Sequence, residues 1–144
     1  MQQGLDAVDR LAARDHYLAV VATTREDGTV QSSVVNAGVI DHPVSGERVV
    51  AFVTYGAAKK THLRAHPHAT LTFRAGWEWI AVEGGVELMG PDDPALDPER
   101  LRVLLREIYQ AAGGDHNDWT EYDRVMQRQR RTAVLVTPDR IYSN

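Results

Sequence analysis

Residues 52–73 read FVTYGAAKKTHLRAHPHATLTF, and this stretch carries the strongest structural signals of the chain. Its first residues are rich in β-branched and aromatic types, which predicts the end of a strand. The segment Gly56–His66 predicts a short helix that Pro67 stops, with Lys59 and Lys60 in its opening turns. Apolar and polar residues alternate in the remainder, which predicts the next strand.

Strand patterns also lie on both sides of this stretch. Asp27-Gly28 is a hairpin turn signal between two Val-rich runs, and a second turn with Pro43 and Gly46 follows. Six strands are predicted, over His16–Thr24, Val30–Ile40, Arg48–Tyr55, His68–Arg74, Trp77–Met89 and Thr132–Tyr142. We expect the first three to be antiparallel neighbours.

Three more helices are predicted. An apolar repeat at three- and four-residue intervals indicates one that ends near Asp15. Asp97 is a predicted N-cap before Pro98, and Asp118-x-x-Glu121 has the capping-box form, so a helical pair should precede the last strand. We expect a mainly β, α+β fold, a barrel or sandwich with flanking helices, formed by a single domain over residues 1–144.

Composition argues against several classes of protein. No run approaches the roughly 18 consecutive apolar residues of a membrane span, and the N-terminus lacks the basic start and apolar run of a signal peptide. The chain has no cysteine, which removes disulfides, thiolate nucleophiles and Cys-ligated metals. Its net charge of -4 argues against a general nucleic-acid binder. We expect a cytoplasmic protein with no membrane or nucleic-acid partner.

Charge is distributed unevenly along the chain. Residues 48–77 contain no Asp or Glu, whereas residues 78–99 contain no Lys or Arg. A basic island in an acidic protein suggests a compact anionic ligand such as a cofactor phosphate, with a chance surface patch as the alternative. Lys59, near a helix start, would add fixed charge to the N–H donors found there, and Thr54 would add a hydroxyl. Without a ligand, Lys59 is simply one surface lysine.

Two pairs of residues are spaced so that both side chains of each pair face the same side of a predicted strand. Gln31 and Ser33 alternate along one predicted strand, so both side chains face the same side and can hydrogen-bond the edge of a heterocycle. Trp77 and Trp79 have the same spacing, and indoles stack on such rings. Paired tryptophans are, however, more often core or interface packing.

Other familiar sites have little support. The chain has no Gly-x-Gly-x-x-Gly, no phosphate loop ending in Gly-Lys-Ser/Thr and no Gly-x-Ser-x-Gly. His62 and His66 are four residues apart on a predicted helix, but we favour solvent-facing histidines and predict no metal site. Arg128, Arg130 and Arg131 are interpreted as a solvated helix end, with a ligand site completed by the partner subunit as the alternative.

The order of residues in the opening stretch resembles the pyridoxamine 5′-phosphate oxidase-like split barrels. In that family Phe-x-Thr, then Lys, then Leu-x-x-x-Pro-x-Ala-x-Leu-x-Phe recur at the spacing of residues 52–73. Residues 31–35 (QSSVV), residues 77–84 (WEWIAVEG) and the terminal Ile141-Tyr142 agree with it. The resemblance implies a six-stranded antiparallel split β-barrel of the FMN-binding type, and a homodimer with cofactor sites at the subunit interface. The cofactor-binding residues that it implies are Gln31, Ser33, Val53, Thr54, Ala58, Lys59, Lys60, Trp77 and Trp79.

The resemblance also bears on which cofactor is bound. The FMN-dependent phosphopyridoxamine oxidases carry a basic strand before Phe-x-Thr, whereas residues 31–40 contain neither Arg nor Lys. Chain length, the Trp77 segment and residues 113–119 (GGDHNDW) look closer to the actinobacterial deazaflavin-dependent branch. We therefore expect coenzyme F420, with FMN as the alternative.

The activity implied is that of an oxidoreductase. It would transfer hydride between the reduced deazaflavin and a small conjugated organic substrate. No catalytic side chain is expected, because the reduced deazaflavin donates hydride from its own C5 carbon. A non-catalytic protein that carries a cofactor or haem is the alternative from another class.

Overall fold

The computed structural model describes residues 2–144, and side chains from residue 4 onward. Within these residues seven strands and four helices form the fold. In chain order they are α1 (Gln2–Ala13), β1 (Leu18–Thr24), β2 (Val30–Asn36), β3 (Gly38–Asp41), β4 (Arg48–Thr54), α2 (Ala57–Ala65), β5 (His68–Ala75), β6 (Glu78–Met89), α3 (Pro98–Ala111), α4 (Trp119–Arg128) and β7 (Thr132–Ser143).

All the strands belong to one antiparallel sheet in the order β2-β1-β5-β6-β7-β4-β3. The α+β split-barrel architecture is confirmed. The strand number is corrected, because the sheet has seven strands rather than six and is not closed. Its two edges are β2 and β3, which follow each other directly in the chain.

The extra strand arises because the predicted strand Val30–Ile40 breaks at Ala37. Its first half pairs with β1 and its second half with β4, on opposite edges of the sheet. The buried Ala37 donates its N–H to the Tyr17 carbonyl at 2.9 Å, outside the ladder. A Cβ on the next residue, Gly38, would lie 2.5 Å from the carbonyl carbon of Ala111 at the end of α3. Glycine is therefore needed where β3 passes α3.

Two apolar clusters hold the fold together. The first covers one side of the sheet, called here the inner side, where Phe52 and Phe73 are fully buried in one cluster with Leu5 and Val8 of α1. The second lies on the opposite side of β3, β4 and β7, under α3. Both sides of β4 are thus covered, which accounts for its nearly continuous apolar sequence.

A bulge in β7 changes which of its side chains face inward. Glu83 of β6 pairs with Arg140, but the next residue, Gly84, pairs with Pro138, so one extra residue is inserted in β7. A Cβ on Gly84 would lie 1.8 Å from a β7 carbonyl oxygen, so this crossing also requires glycine. Beyond the bulge, Tyr142 lies on the outer face of the sheet.

The helix-start predictions are confirmed. The Asp97 carboxylate accepts the Arg100 N–H at 2.8 Å, and the Asp118 carboxylate accepts the Glu121 N–H at 3.1 Å. Among residues 2–144, none of the helices has the length and apolar character that crossing a membrane requires.

Candidate functional site at the start of α2

The N-terminus of α2 lies where β4 ends. Thr54 closes β4, and its Oγ1 accepts the Gly56 N–H at 3.3 Å. Gly56 is the N-cap of α2 and supplies no side chain to the helix, and the first turn contains no acidic residue. The first helical hydrogen bond runs from the Lys60 N–H to the Gly56 carbonyl. The preceding N–H groups and the positive end of the helix dipole are therefore available to an anion.

Lys59 extends from this turn over the interior of the sheet. Its Nζ lies 5.6 Å from the centre of the buried Phe52 ring. The side chain is half-buried, and burial lowers the pKa of its ammonium below the ordinary lysine value. No ion pair within residues 4–144 compensates this charge. A half-buried cation without an acidic partner is a favourable place for a phosphate oxygen.

Arg131 adds a second cation next to the end of β4. Its guanidinium carbon lies 3.9 Å from the centre of the Tyr55 ring, in a cation–π contact. The arrangement follows from the sheet register, because Thr132 at the start of β7 pairs with Thr54 at the end of β4. Arg131 thus lies beside the residue that follows Thr54 of the same chain.

Two other cations of the basic island are already paired. Arg48 forms an ion pair with Asp6, and Arg64 donates two hydrogen bonds to Asp93, of 2.9 and 3.3 Å. Nearby acids therefore satisfy both arginines, although residues 48–77 contain no Asp or Glu. The chain's two lysines, Lys59 and Lys60, both lie in α2 and make no such pair among the described residues.

Gln31 and Ser33 lie on one side of β2, as their spacing predicts, and Val35 on that same side packs against the Phe52 cluster. Both are half-buried, while their neighbours Val30, Ser32 and Val34 are exposed. The Oε1 of Gln31 is buried and accepts no hydrogen bond in the described part of the chain. A buried carbonyl oxygen without a donor is costly, so a ligand N–H at this position would be stabilising.

Trp77 and Trp79 lie far from the start of α2. Trp77 is in the turn before β6 and is 93% exposed. Trp79 packs edge-on against Tyr142, with ring centres 6.0 Å apart. They lie at the end of β5 opposite to α2, and the seven residue steps from His68 to Ala75 span roughly 23 Å. The two tryptophans are therefore not brought together with Lys59 within one chain.

Two further predicted residues have contrasting positions. Ala58 is exposed in the first turn of α2, beside the available N–H groups. The Val53 side chain packs in the cluster under α3, on the other side of β4 from Thr54. Any contact of Val53 with a ligand on the Thr54 side would thus involve its backbone.

The family assignment agrees with this geometry. The family model described as pyridoxamine 5′-phosphate oxidase matches residues 6–144, nearly the whole chain. The chain belongs to the pyridoxamine 5′-phosphate oxidase family. The match includes the strand, helix and strand that carry Thr54 and Lys59.

Several solved structures share the fold at low sequence identity. A conserved hypothetical protein of Mycobacterium tuberculosis is 17% identical, with a TM-score of 0.68 over 96% of this chain and 82% of its own. A pyridoxamine 5′-phosphate oxidase-related, FMN-binding protein of Nostoc punctiforme is 13% identical, with a TM-score of 0.62 and the same coverage, 96% and 82%. An F420 reductase is 20% identical, with a TM-score of 0.59 over 88% of this chain and 89% of its own.

Sequence reasoning within the family missed one local cation. The sequence favours a solvated helix end for Arg131, with a ligand site completed by the partner subunit as the alternative, and it does not indicate the contact with Tyr55 of the same chain that the structure shows. Arg130 lies outside this contact and pairs with Asp92. Only the register between β4 and β7 brings Arg131 to Tyr55, so no local sequence signal identifies it.

Proposed function

We propose that this protein is a coenzyme F420-dependent oxidoreductase whose cofactor phosphate is held at the start of α2. The proposal is carried by one observation, the half-buried Lys59 without an acidic partner at a helix start that no side chain caps. When bound in reduced form, the deazaflavin supplies hydride from its C5 carbon to a small conjugated acceptor.

The residues at this end of the sheet fit a flavin-type cofactor. Lys59, Lys60 and the first N–H groups of α2 would hold a phosphate. The buried Oε1 of Gln31 would accept an N–H from the edge of the cofactor ring, with Ser33 beside it on the same side of β2. The chain's own contribution is to bind and orient the ring and to exclude water from it.

The small number of available cations at the start of α2 favours the phosphodiester of F420 over the phosphate monoester of FMN at this position. FMN ends in a phosphate monoester that carries close to two charges, whereas the phosphodiester of F420 carries one. The FMN-type basic strand is replaced here by neutral Gln31, Ser32 and Ser33. Arg48 and Arg64 are occupied by acids, which leaves mainly Lys59 and Lys60 at the start of α2.

We also propose that the active form is a homodimer with the cofactor between subunits. The outer face of β1 and β2 exposes four large apolar side chains, Leu18, Val20, Val30 and Val34. A cross-strand row leads from the exposed Val34 and Val20 through the half-buried Thr72 and the buried Ala81 to the exposed Tyr142. Exposed apolar patches of this kind mark interaction sites, and a second copy would also bring its Trp77 toward Lys59.

Parallel titrations with F420 and FMN test the cofactor. Quenching of tryptophan fluorescence should report tighter binding of oxidised F420 than of FMN, and binding should weaken with added salt because exposed charges are screened. Tighter binding of FMN would replace the deazaflavin proposal by its FMN alternative. Tight F420 binding without hydride transfer to any of a panel of conjugated acceptors would support a carrier protein instead.

A further inference from the structure

A cleft separates α3 and α4 from the loop that follows β6. Its volume is about 550 Å³, within the range of roughly 300–1,000 Å³ typical of small-molecule sites. Apolar groups form much of its surface, from Pro91, Leu96, Leu101, Leu105 and Met126. Leu96 and Leu105 are buried, whereas Met126 is half-buried and accessible from the cleft.

The charged groups of the cleft are matched with one exception. Arg102 pairs with both Glu99 and Asp123, and Arg130 pairs with Asp92. Both acids that line the cleft, Glu99 and Asp123, are therefore neutralised by arginines. These carboxylates would therefore repel a bound anion only weakly.

Arg131 is the exception among the described residues. Its Nε donates to the Gln129 amide oxygen at 2.8 Å, and its guanidinium lies over the Tyr55 ring, but no carboxylate pairs with it. Because the Tyr55 ring contacts the face of the guanidinium, the terminal N–H groups at its edge are free to bind a planar anion. An apolar cleft thus ends at one unpaired cation.

We propose that this cleft binds a small apolar monoanion, with its carboxylate on Arg131 and its apolar body against Leu101, Leu105 and Met126. Arg131 also contacts the ring of Tyr55, which lies between the end of β4 and the start of α2. Binding itself does not require the cofactor.

Methionine methyl signals locate the ligand directly. The chain has three methionines, Met1, Met89 and Met126, and of the two that the structure describes, Met89 is buried elsewhere and Met126 lines the cleft. Titration of cofactor-free protein labelled with ¹³C-methyl methionine should shift the Met126 signal when naphthoate is added. Naphthamide, which has the same ring without the charge, should bind about tenfold more weakly, because a charge-assisted hydrogen bond is worth at least about 1.5 kcal/mol. Equal affinity for the two compounds, or no shift at Met126, would overturn the proposal.

Two arginine variants separate the cleft from general surface charge. Arg131→Gln should remove the preference for naphthoate over naphthamide, whereas Arg131→Lys should retain part of it. Arg128→Gln is the matched control, because Arg128 is exposed, lies in the same segment and does not line the cleft. Loss of the preference in Arg128→Gln as well would overturn the assignment to Arg131. Because these titrations contain no F420, their failure is distinct from failure of F420 binding.

Discussion

The ammonium of Lys59 lies 5.6 Å from the centre of the fully buried Phe52 ring. The ring face attracts the cation, but desolvation lowers the pKa of Lys59 and thus opposes its charge. In the cofactor-free protein this position is therefore less favourable for a charged side chain than water is. An incoming phosphate would reverse that balance.

Lys59→Met should separate stability from cofactor binding. Met keeps an unbranched apolar side chain over Phe52 and removes the poorly solvated charge, so the cofactor-free variant should unfold at a higher temperature than the wild type. F420 affinity should fall by about 1.5–3 kcal/mol, the worth of a charge-assisted hydrogen bond. Calorimetry and fluorescence titration measure the two effects. Unchanged F420 affinity would mean that Lys59 is only a surface charge.

The titration of Lys59 can be followed directly. Reductive ¹³C-methylation labels Lys59, Lys60 and the terminal amine, so the spectrum is simple to assign with one lysine variant. Burial lowers the pKa of Lys59, so the unfolded state binds its proton more tightly and stability should rise with pH between the folded and the ordinary lysine values. Binding of F420 should raise the pKa of Lys59. The affinity of the protein for F420 should therefore decline at alkaline pH, where Lys59 loses its proton. An unmoved Lys59 signal would contradict a phosphate contact.

Val34→Glu should dissociate the proposed dimer. Val34 is 64% exposed on the outer face of β2, where a partner would bury the introduced carboxylate. Val44→Glu is the control, since Val44 is 65% exposed but lies in the turn between β3 and β4. Light scattering should give about 32 kDa, twice the 16.0 kDa chain, for the wild type and the control, and half that for Val34→Glu. A monomeric wild type would contradict the proposal that two subunits share the cofactor site.

Mixed dimers test whether Lys59 and Trp77 act across the interface. Neither Lys59→Met nor Trp77→Phe homodimers should bind F420 with both high affinity and strong quenching. A heterodimer of the two variants would contain one intact site, because each subunit supplies the residue that its partner lacks. Titration of the purified heterodimer should therefore recover one tight, quenched site. No recovery would place the two residues in separate sites.

Asp93 is expected to join α2 to the loop after β6. Its carboxylate binds Arg64 and also accepts the Gly90 N–H at 2.9 Å. Asp93→Ala should lower the free energy of unfolding by about 1–3 kcal/mol, since a partly buried N–H loses its acceptor. Asp93→Asn keeps an acceptor and loses only the ion pair to Arg64, whose side chain is 47% exposed, so its cost should stay below about 1 kcal/mol. Urea unfolding measures both, and equal costs would contradict the role of the Gly90 contact.

Several features follow from local sequence. The start of α3 at Pro98 was predictable because the Asp97 carboxylate bonds an N–H only three residues away. Lys59 was placed in the first turns of α2 by the glycine before it and Pro67 after it. Alternation along β2 also assigned Gln31 and Ser33 to one side of the strand.

Other features depended on contacts between distant parts of the chain. The strand predicted over Val30–Ile40 is apolar enough to continue, but Ala37 bonds to Tyr17 and Gly38 packs against Ala111, so it divides between two sheet edges. The position of Trp77 far from Lys59 was equally hidden, because strand spacing shows which side a residue faces and not which neighbours it meets.

The sequence by itself determined the family, the helix caps and the placement of Lys59 at a helix start, since each depends on residues a few positions apart. Tertiary structure alone decided which charges remain unpaired. The Arg64 and Asp93 pair and the Arg131 and Tyr55 contact join residues from different elements, and the register between β4 and β7 creates the second of these. Charge composition records how many cations a segment carries, whereas only folding shows which of them an acid already neutralises.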